Sequence, residues 1–396
     1  MTELQSQTGL TSTAGDAPQV VDFELTETLR AFRDDARDFA QTELAPHAEA
    51  WDRDTEFPRE AIAKAAARGY LKITTPEQYG GSDLGNVASC VMLEELNAAC
   101  ASSGVTVSVH NSLVCSPLAK WGTDDQKSRY FPKLVTGEWL GAYCLSEAGS
   151  GSDAAALVCE AKEDGDHYVL NGPKLWITTG SEADFFIVFA RTGEDRVKGI
   201  TAFLVEKQYP GVGIGKKERK LGIKASPTVE ILLENVRVPK ANLLGELGRG
   251  FTIALDTLDG GRLGIASQSL GIARAALELI KAHLRTQVDA KGRPTAAQAH
   301  QWEMADIAAD LDACRFLTWR AAMLRDKGQP CGPQAAMAKL KASLLANRAA
   351  RSAVSILGTS GLVGTAERLM RDARICEIYE GATDIQRLVV ARGELG

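Results

Sequence analysis

The sequence predicts an α+β multidomain chain: an N-terminal helical domain, a middle antiparallel β-sandwich or barrel, and a C-terminal four-helix bundle. Two changes in hydrophobic period carry that reading. Apolar residues recur three and four apart over 23–138, alternate with polar ones over 139–246, and return to helical spacing over 247–396. A chain of 396 residues, 45% hydrophobic and 24% charged, is long enough for two or three such domains.

Taken in order, residues 1–22 are rich in Thr, Gln, Ser, Ala and Gly without apolar periodicity, and lack the basic start and apolar core of a signal peptide, so a mobile tail is expected. LRAFRDDARDFAQTEL, REAIAKAAARGY and ASCVMLEELNAAC then read as helices, separated by breakers such as Pro46, Pro58, Gly80 and Gly81. VTVSVHNSLVCSPLAKWG continues as an apolar, buried helix, although its valines also allow a strand. Seven strand-like runs follow: WLGAYCL, ALVCEAKED, HYVLNGPKLWIT, DFFIVFART, GITAFLVEK, GVGIGKK and TVEILLENVRVP. No helix lies between them, which points to a small sandwich or barrel and away from a doubly wound nucleotide fold. The remaining long alanine- and leucine-rich segments read as antiparallel helices of a bundle. Any ligand cleft is expected where the three domains meet.

Composition excludes several function classes. A net charge of −6 without a basic block argues against a nucleic-acid partner. The local cluster Lys216, Lys217, Arg219, Lys220 and Lys224 reads as a solvated loop or a landing place for an anionic ligand. Eight cysteines without a CxxC pair fit buried reduced thiols, and five histidines without ligand spacing predict no metal site. No apolar run approaches the ~18 residues of a membrane span, so a soluble, cytoplasmic protein without a membrane partner is expected.

The stretch 371–387, RDARICEIYEGATDIQR, places one carboxylate, Glu380, at a break between two helical runs. Gly381 is suited to the left-handed turn that closes the first helix, and Thr383 with Gln386 reads as a capping box that opens the second. Desolvation beside Gly381 and Ala382, and the negative end of the preceding helix, would raise the Glu380 pKa toward that of a general base. On residue type alone, an isolated glutamate is more often solvated. SEAGSGSDAAA clusters Gly149, Ser150, Gly151 and Ser152 after a strand, where open backbone N–H groups and hydroxyls can cradle a pyrophosphate or a flavin edge, or form a plain surface turn. Trp176 and Thr178, in KLWITTG, can stack on and hydrogen-bond a flat ring, or belong to the core. LDGGR opens a helix in which Arg262 can neutralise a carboxylate or cap a surface helix.

IYEGATDIQR resembles the C-terminal signature of the acyl-CoA dehydrogenase family, and similarity runs from about Phe23 onward, nearest to the short-chain (butyryl-CoA) branch. The resemblance implies that Glu380 is the catalytic base. YCLSEAGSGSD is similar to the family signature at the junction of the helical and sheet domains, which implies FAD contacts at Tyr143, Leu145, Ser146, Gly151 and Ser152, with Ser152 also beside the CoA chain. By the same resemblance Trp176, Ile177 and Thr178 cover the flavin. Asp259, Gly260, Gly261, Arg262 and Gly381 contact the acyl-CoA. Position 261, where a branch including isovaleryl-CoA dehydrogenases carries its base, is glycine here. Arg285, Gln298, Ser355, Gly358, Thr359, Ala382, Thr383 and Asp384 match further FAD contacts, some of which cross from a neighbouring subunit in the family. Val288, Ser355, Thr359 and Ala382 depart from the family pattern around the adenosine half of FAD.

The implied activity is FAD-dependent α,β-dehydrogenation of a short-chain acyl-CoA to the trans-2-enoyl-CoA. Glu380 takes the α-proton, flavin N5 accepts the β-hydride, and electrons pass to an electron-transfer flavoprotein. The implied assembly is a homotetramer, a dimer of dimers. Short branched acyl-CoAs are close rivals as substrate, and a non-catalytic flavoprotein or scaffold is the alternative from another class.

Overall fold

The computed structural model describes residues 25–292 and 295–396; the expected tail over 1–22 lies outside the described residues. The N-terminal part is helical: α1 (Glu27–Phe39), α2 (Ala48–Asp54), α3 (Arg59–Ala67), α4 (Gly85–Ala99), α5 (Ala101–Val109), α6 (Ser116–Trp121) and α7 (Asp124–Leu134). Phe39, Leu44, Ile62, Tyr70, Met92 and Leu96 form its core. The chain between α5 and α6, His110–Cys115, is a π-helical turn, so the valine-rich run is helix throughout. Its wider winding presents Leu113 toward the C-terminal helices. A capping box of Thr123 and Gln126 starts α7.

Eight strands follow: β1 (Gly141–Cys144), β2 (Glu160–Asp164), β3 (His167–Thr178), β4 (Phe185–Arg191), β5 (Ile200–Glu206), β6 (Val212–Lys217), β7 (Thr228–Pro239) and the short β8 (Leu243–Leu244). They make one sheet in the order β6-β7-β3-β2-β4-β5-β8, with β1 beside β4. Pairing is antiparallel except that β1 runs parallel to β4, and β2 touches β4 in parallel at one residue pair. The sheet curls so that Ala142, Leu170, Phe186, Phe203 and Ile231 meet in one interior cluster. Alternate residues of β4 and β5, such as Phe185, Phe189 and Leu204, face α6, α7 and the start of the next helix. Burial on both faces is why DFFIVFART is apolar throughout.

The C-terminal part holds α8 (Gly250–Thr286), α9 (Gln298–Asp326), α10 (Gly332–Leu357), α11 (Thr365–Ala373) and α12 (Thr383–Leu395). The helix expected to open at LDGGR opens at Gly250 instead, so Asp259–Arg262 lies well inside α8. A glycine pair costs helix stability, but here the packing of α8 against α4, α5, α9 and α10 overrides propensity. By length and composition α8 could cross a membrane, contrary to expectation, yet 78% of its apolar window is buried inside the protein. All eight cysteines are buried and free. Within the basic cluster, Lys216 pairs with Glu218, and Lys217 and Lys220 donate to the carbonyls of Thr55 and Ser226.

Candidate functional site

Glu380 stands between α11 and α12 on a turn built from two successive left-handed residues, Glu380 (φ +52°) and Gly381 (φ +97°). The helical run before it ends with the 3-10 turn Arg374–Glu377, earlier than Gly381. The expected capping box does not form, because Ala382 takes the N-cap position. Thr383 Oγ1 donates to the Glu377 carbonyl at 3.0 Å, and Gln386 Nε2 donates to the carbonyls of Glu380 (3.2 Å) and Gly381 (2.8 Å). The two side chains thus lace the turn shut from α12.

The Glu380 residue is half-buried, but its Oε2 is fully buried without a hydrogen-bond partner. Burial raises this carboxyl to about 7, against the opposing pull of Lys339 and then Arg262. Gly261 of α8 faces it directly: a Cβ there would stand 1.8 Å from Oε2 and 2.9 Å from Leu113 Cδ2. A side chain at this position would require Glu380 or Leu113 to shift. Arg262, only 6% exposed, is paired with Asp259 one turn away, and its Nε is unpartnered. Burial raises the Asp259 pKa, offset by Arg262 and Arg325. Tyr143 closes the site from β1, with its ring 5.0 Å from that of Phe189, and its hydroxyl pKa is raised by burial and then by Glu380. Tyr379 donates from its hydroxyl to the Gln268 side-chain carbonyl, which anchors the residue before Glu380 to α8.

A second feature flanks β3. Residues 145–152 form a turn tied to that strand by Leu175 N–H donating to the Ser146 carbonyl at 2.9 Å. Within the turn, Glu147 accepts from Val158 N (2.6 Å), Cys159 N (3.0 Å) and Lys174 Nζ (2.6 Å), a buried ion pair. Gly149 and Gly151 face open space, with no atom within 4 Å of where a Cβ would lie, and Ser152 is exposed. At the end of β3 the pairing with β7 shifts register between Lys174 and Ile177, and Trp176 (φ +61°) is thrown outward, 62% exposed. Ile177 instead turns its side chain into the sheet core, so only its backbone is available to a ligand. Leu145 is likewise a core residue.

The remaining expected cofactor residues lie elsewhere. Arg285, Gln298, Ser355, Gly358 and Thr359 are all exposed. The helical rise puts Arg285 roughly 35 Å along α8 from Arg262, and Ser355 roughly 24 Å along α10 from Lys339. Ala382, Thr383 and Asp384 sit at the start of α12, beside Glu380. Sequence reasoning missed Lys339 and the Glu147–Lys174 pair. The available signal for Lys339 was a lone lysine in the buried stripe Ala335, Ala338, Ala342 of α10.

The chain matches the acyl-CoA dehydrogenase N-terminal domain over residues 26–138, the middle domain over 142–236 and the C-terminal domain over 248–395. It belongs to the acyl-CoA dehydrogenase family. Within that family it is 48% identical over 372 residues to the mitochondrial short-chain specific acyl-CoA dehydrogenase of Mus musculus, covering 93% of this chain and 90% of that one. Among solved structures, butyryl-CoA dehydrogenase from Megasphaera elsdenii superposes with a TM-score of 0.92 at 38% identity, covering 95% of this chain and 100% of that one. A chain in the structure of the electron transferring flavoprotein of Acidaminococcus fermentans superposes with a TM-score of 0.92 at 42% identity, covering 94% and 99%. This acyl-CoA dehydrogenase is an FAD-dependent oxidoreductase.

Proposed function

We propose that the protein is a soluble, cytoplasmic short-chain acyl-CoA dehydrogenase that converts butyryl-CoA or a similar thioester to the trans-2-enoyl-CoA, with Glu380 as the α-proton base. The observation that carries this reading is Glu380 Oε2, buried, unpartnered and pressed against Gly261. A carboxylate desolvated in this way is a stronger base than one in water, and it costs stability to keep it there.

The chain's own residues account for orientation and proton movement. On α8, Gly261 abuts Glu380 and Arg262 bears on its charge, and Asp259, Gly260, Gly261 and Arg262 are read as acyl-CoA contacts, together with Gly381. The Glu380 amide N–H has no acceptor among the described residues, which leaves it able to donate to a thioester carbonyl oxygen and acidify the α-carbon. Glu380 then takes the α-proton. FAD, when bound, supplies the acceptor for the β-hydrogen as hydride. The outward indole of Trp176 and the open turn at Gly149 and Gly151 leave room for a flat ring with a phosphate chain, so Tyr143, Ser146, Gly151, Ser152, Trp176 and Thr178 are read as its holders. Arg285 and Ser355 lie far along α8 and α10 from Arg262 and Lys339, Gln298 opens α9, and Gly358 and Thr359 follow the end of α10. That separation supports their serving the cofactor of a neighbouring subunit in a tetrameric assembly. Exposed Trp302, Phe316 and Met323 on α9 supply apolar surface for such contacts.

The substrate class rests on the short-chain and butyryl-CoA names of the relatives. The proposed electron acceptor, an electron-transfer flavoprotein, is supported by the Acidaminococcus match. The test is anaerobic bleaching of the yellow protein across straight and branched acyl-CoAs, with Glu380→Gln alongside. Butyryl-CoA should bleach the parent fastest, and the variant should stay yellow while turnover falls about 10²–10⁴-fold. Near-normal turnover in Glu380→Gln would refute the assignment.

A further inference from the structure

Lys339 is a charged side chain that the proposed reaction has not used. It sits on the buried face of α10, 0% exposed, where an alanine or methionine would pack without the loss of hydration an ammonium suffers. Its Nζ makes one hydrogen bond among the described residues, 2.7 Å to the carbonyl of Gly381. That oxygen already accepts from Gln386 Nε2, so closure of the turn does not depend on the lysine. No carboxylate among the described residues lies within ion-pair distance of Lys339. Arg262, the other cation facing Glu380, is committed to Asp259. Lys339 is therefore the uncommitted positive charge behind the turn, and it grips the peptide that immediately follows Glu380.

We propose that Lys339 is a positioning residue for Glu380: its hydrogen bond to the Gly381 carbonyl fixes the ammonium behind the turn, where it favours the ionised carboxylate. The proposal rests on the reading of Glu380 as the base. The groups facing Glu380 are Lys339 from α10, Arg262 from α8, Tyr143 from β1, and Tyr379 on its own segment. Those facing Lys339 are Arg262, Cys376, Glu377 and Glu380. Burial pushes the Lys339 ammonium down to about 8, so it still carries its charge at neutral pH.

Lys339→Met and Lys339→Gln, purified with FAD, test the proposal. Both variants lose the charge, and the glutamine keeps a donor. With Lys339 gone, Glu380 is harder to ionise, so the acidic limb of kcat against pH moves to higher pH by about one unit, and kcat on that limb falls about tenfold, while KM changes little. A limb at the parental pH in either folded, yellow variant overturns the proposal, as does a uniform loss of kcat at every pH. Glu380→Gln, assayed in parallel, separates the two failures. An active Glu380→Gln removes the base itself, whereas an inactive one with an unmoved Lys339 limb removes only the role of the lysine.

Discussion

Gly261 on α8 and Glu380 on the turn before α12 are fitted to one another, since a Cβ on residue 261 would stand 1.8 Å from Glu380 Oε2. Gly261→Ala should therefore push the carboxylate out of its slot while leaving α8 at least as helical as before. A displacement of that order costs roughly 100-fold in the chemical step. Stopped-flow reduction with butyryl-CoA should show the loss in rate with flavin content unchanged.

The pH dependence of activity and of stability should run in opposite senses. Glu380 must be ionised to accept a proton, so kcat should fall below about pH 7. In the unfolded chain the same carboxyl returns to an ordinary value near 4.5, so the folded state binds its proton more tightly. Protonation stabilises the fold as pH drops from 7 toward 4.5, and above 7 the ionised group costs at most about 3 kcal/mol. Glu380→Gln should melt higher than the parent at pH 8 and nearly level with it at pH 5, which thermal scans at the two pH values would check.

Lys174 and Glu147 form an ion pair out of reach of water, and together they fasten the glycine-serine turn to β3. Lys174→Met leaves a buried carboxylate with only its two backbone donors, a loss of roughly 3–5 kcal/mol. Adding Glu147→Gln should restore part of that stability, a coupling readable from denaturant midpoints. FAD retention through gel filtration should fall in the single variant.

Trp176 pays for its position, being a bulky residue at φ +61° with most of its indole in solvent. Trp176→Gly should leave folding within about 1 kcal/mol of the parent, because relief of the left-handed strain offsets the added chain entropy. The same variant should release FAD more readily. Parallel measurements of melting and of flavin fluorescence would separate a packing tryptophan from one that serves the cofactor.

The three-part organisation was legible because hydrophobic period is a local property, and the seven strand-like runs all contain strands. The parallel seating of β1 against β4 was not, since both edges of that pairing come from distant turns. At the site, spacing alone suggested a capping box for Thr383 and Gln386, but two left-handed residues turn the chain first and hand the cap to Ala382. Desolvation as the cause of the raised Glu380 pKa was legible from its small neighbours, although residue type alone favoured a solvated glutamate. Gly261 abuts its carboxylate and Lys339 and Arg262 make its charge environment, all remote in the chain. Ile177, expected at the cofactor, faces the sheet core because a bulge reverses the alternation at Trp176.

Burial raises the pKa of each of the eight cysteines. Only thiolate reacts at a useful rate, so an intact molecule should leave an alkylating reagent unspent. Every sulfur that does react then records a moment when its neighbourhood came open. Cys331, next to the glycine that abuts Asp259, and Cys376, beside Lys339, lie close enough to the chemistry for their alkylation to slow when a thioester is present. Comparing their rates with that of Cys144 inside the sheet would turn the sulfur atoms into timers for breathing at the seam.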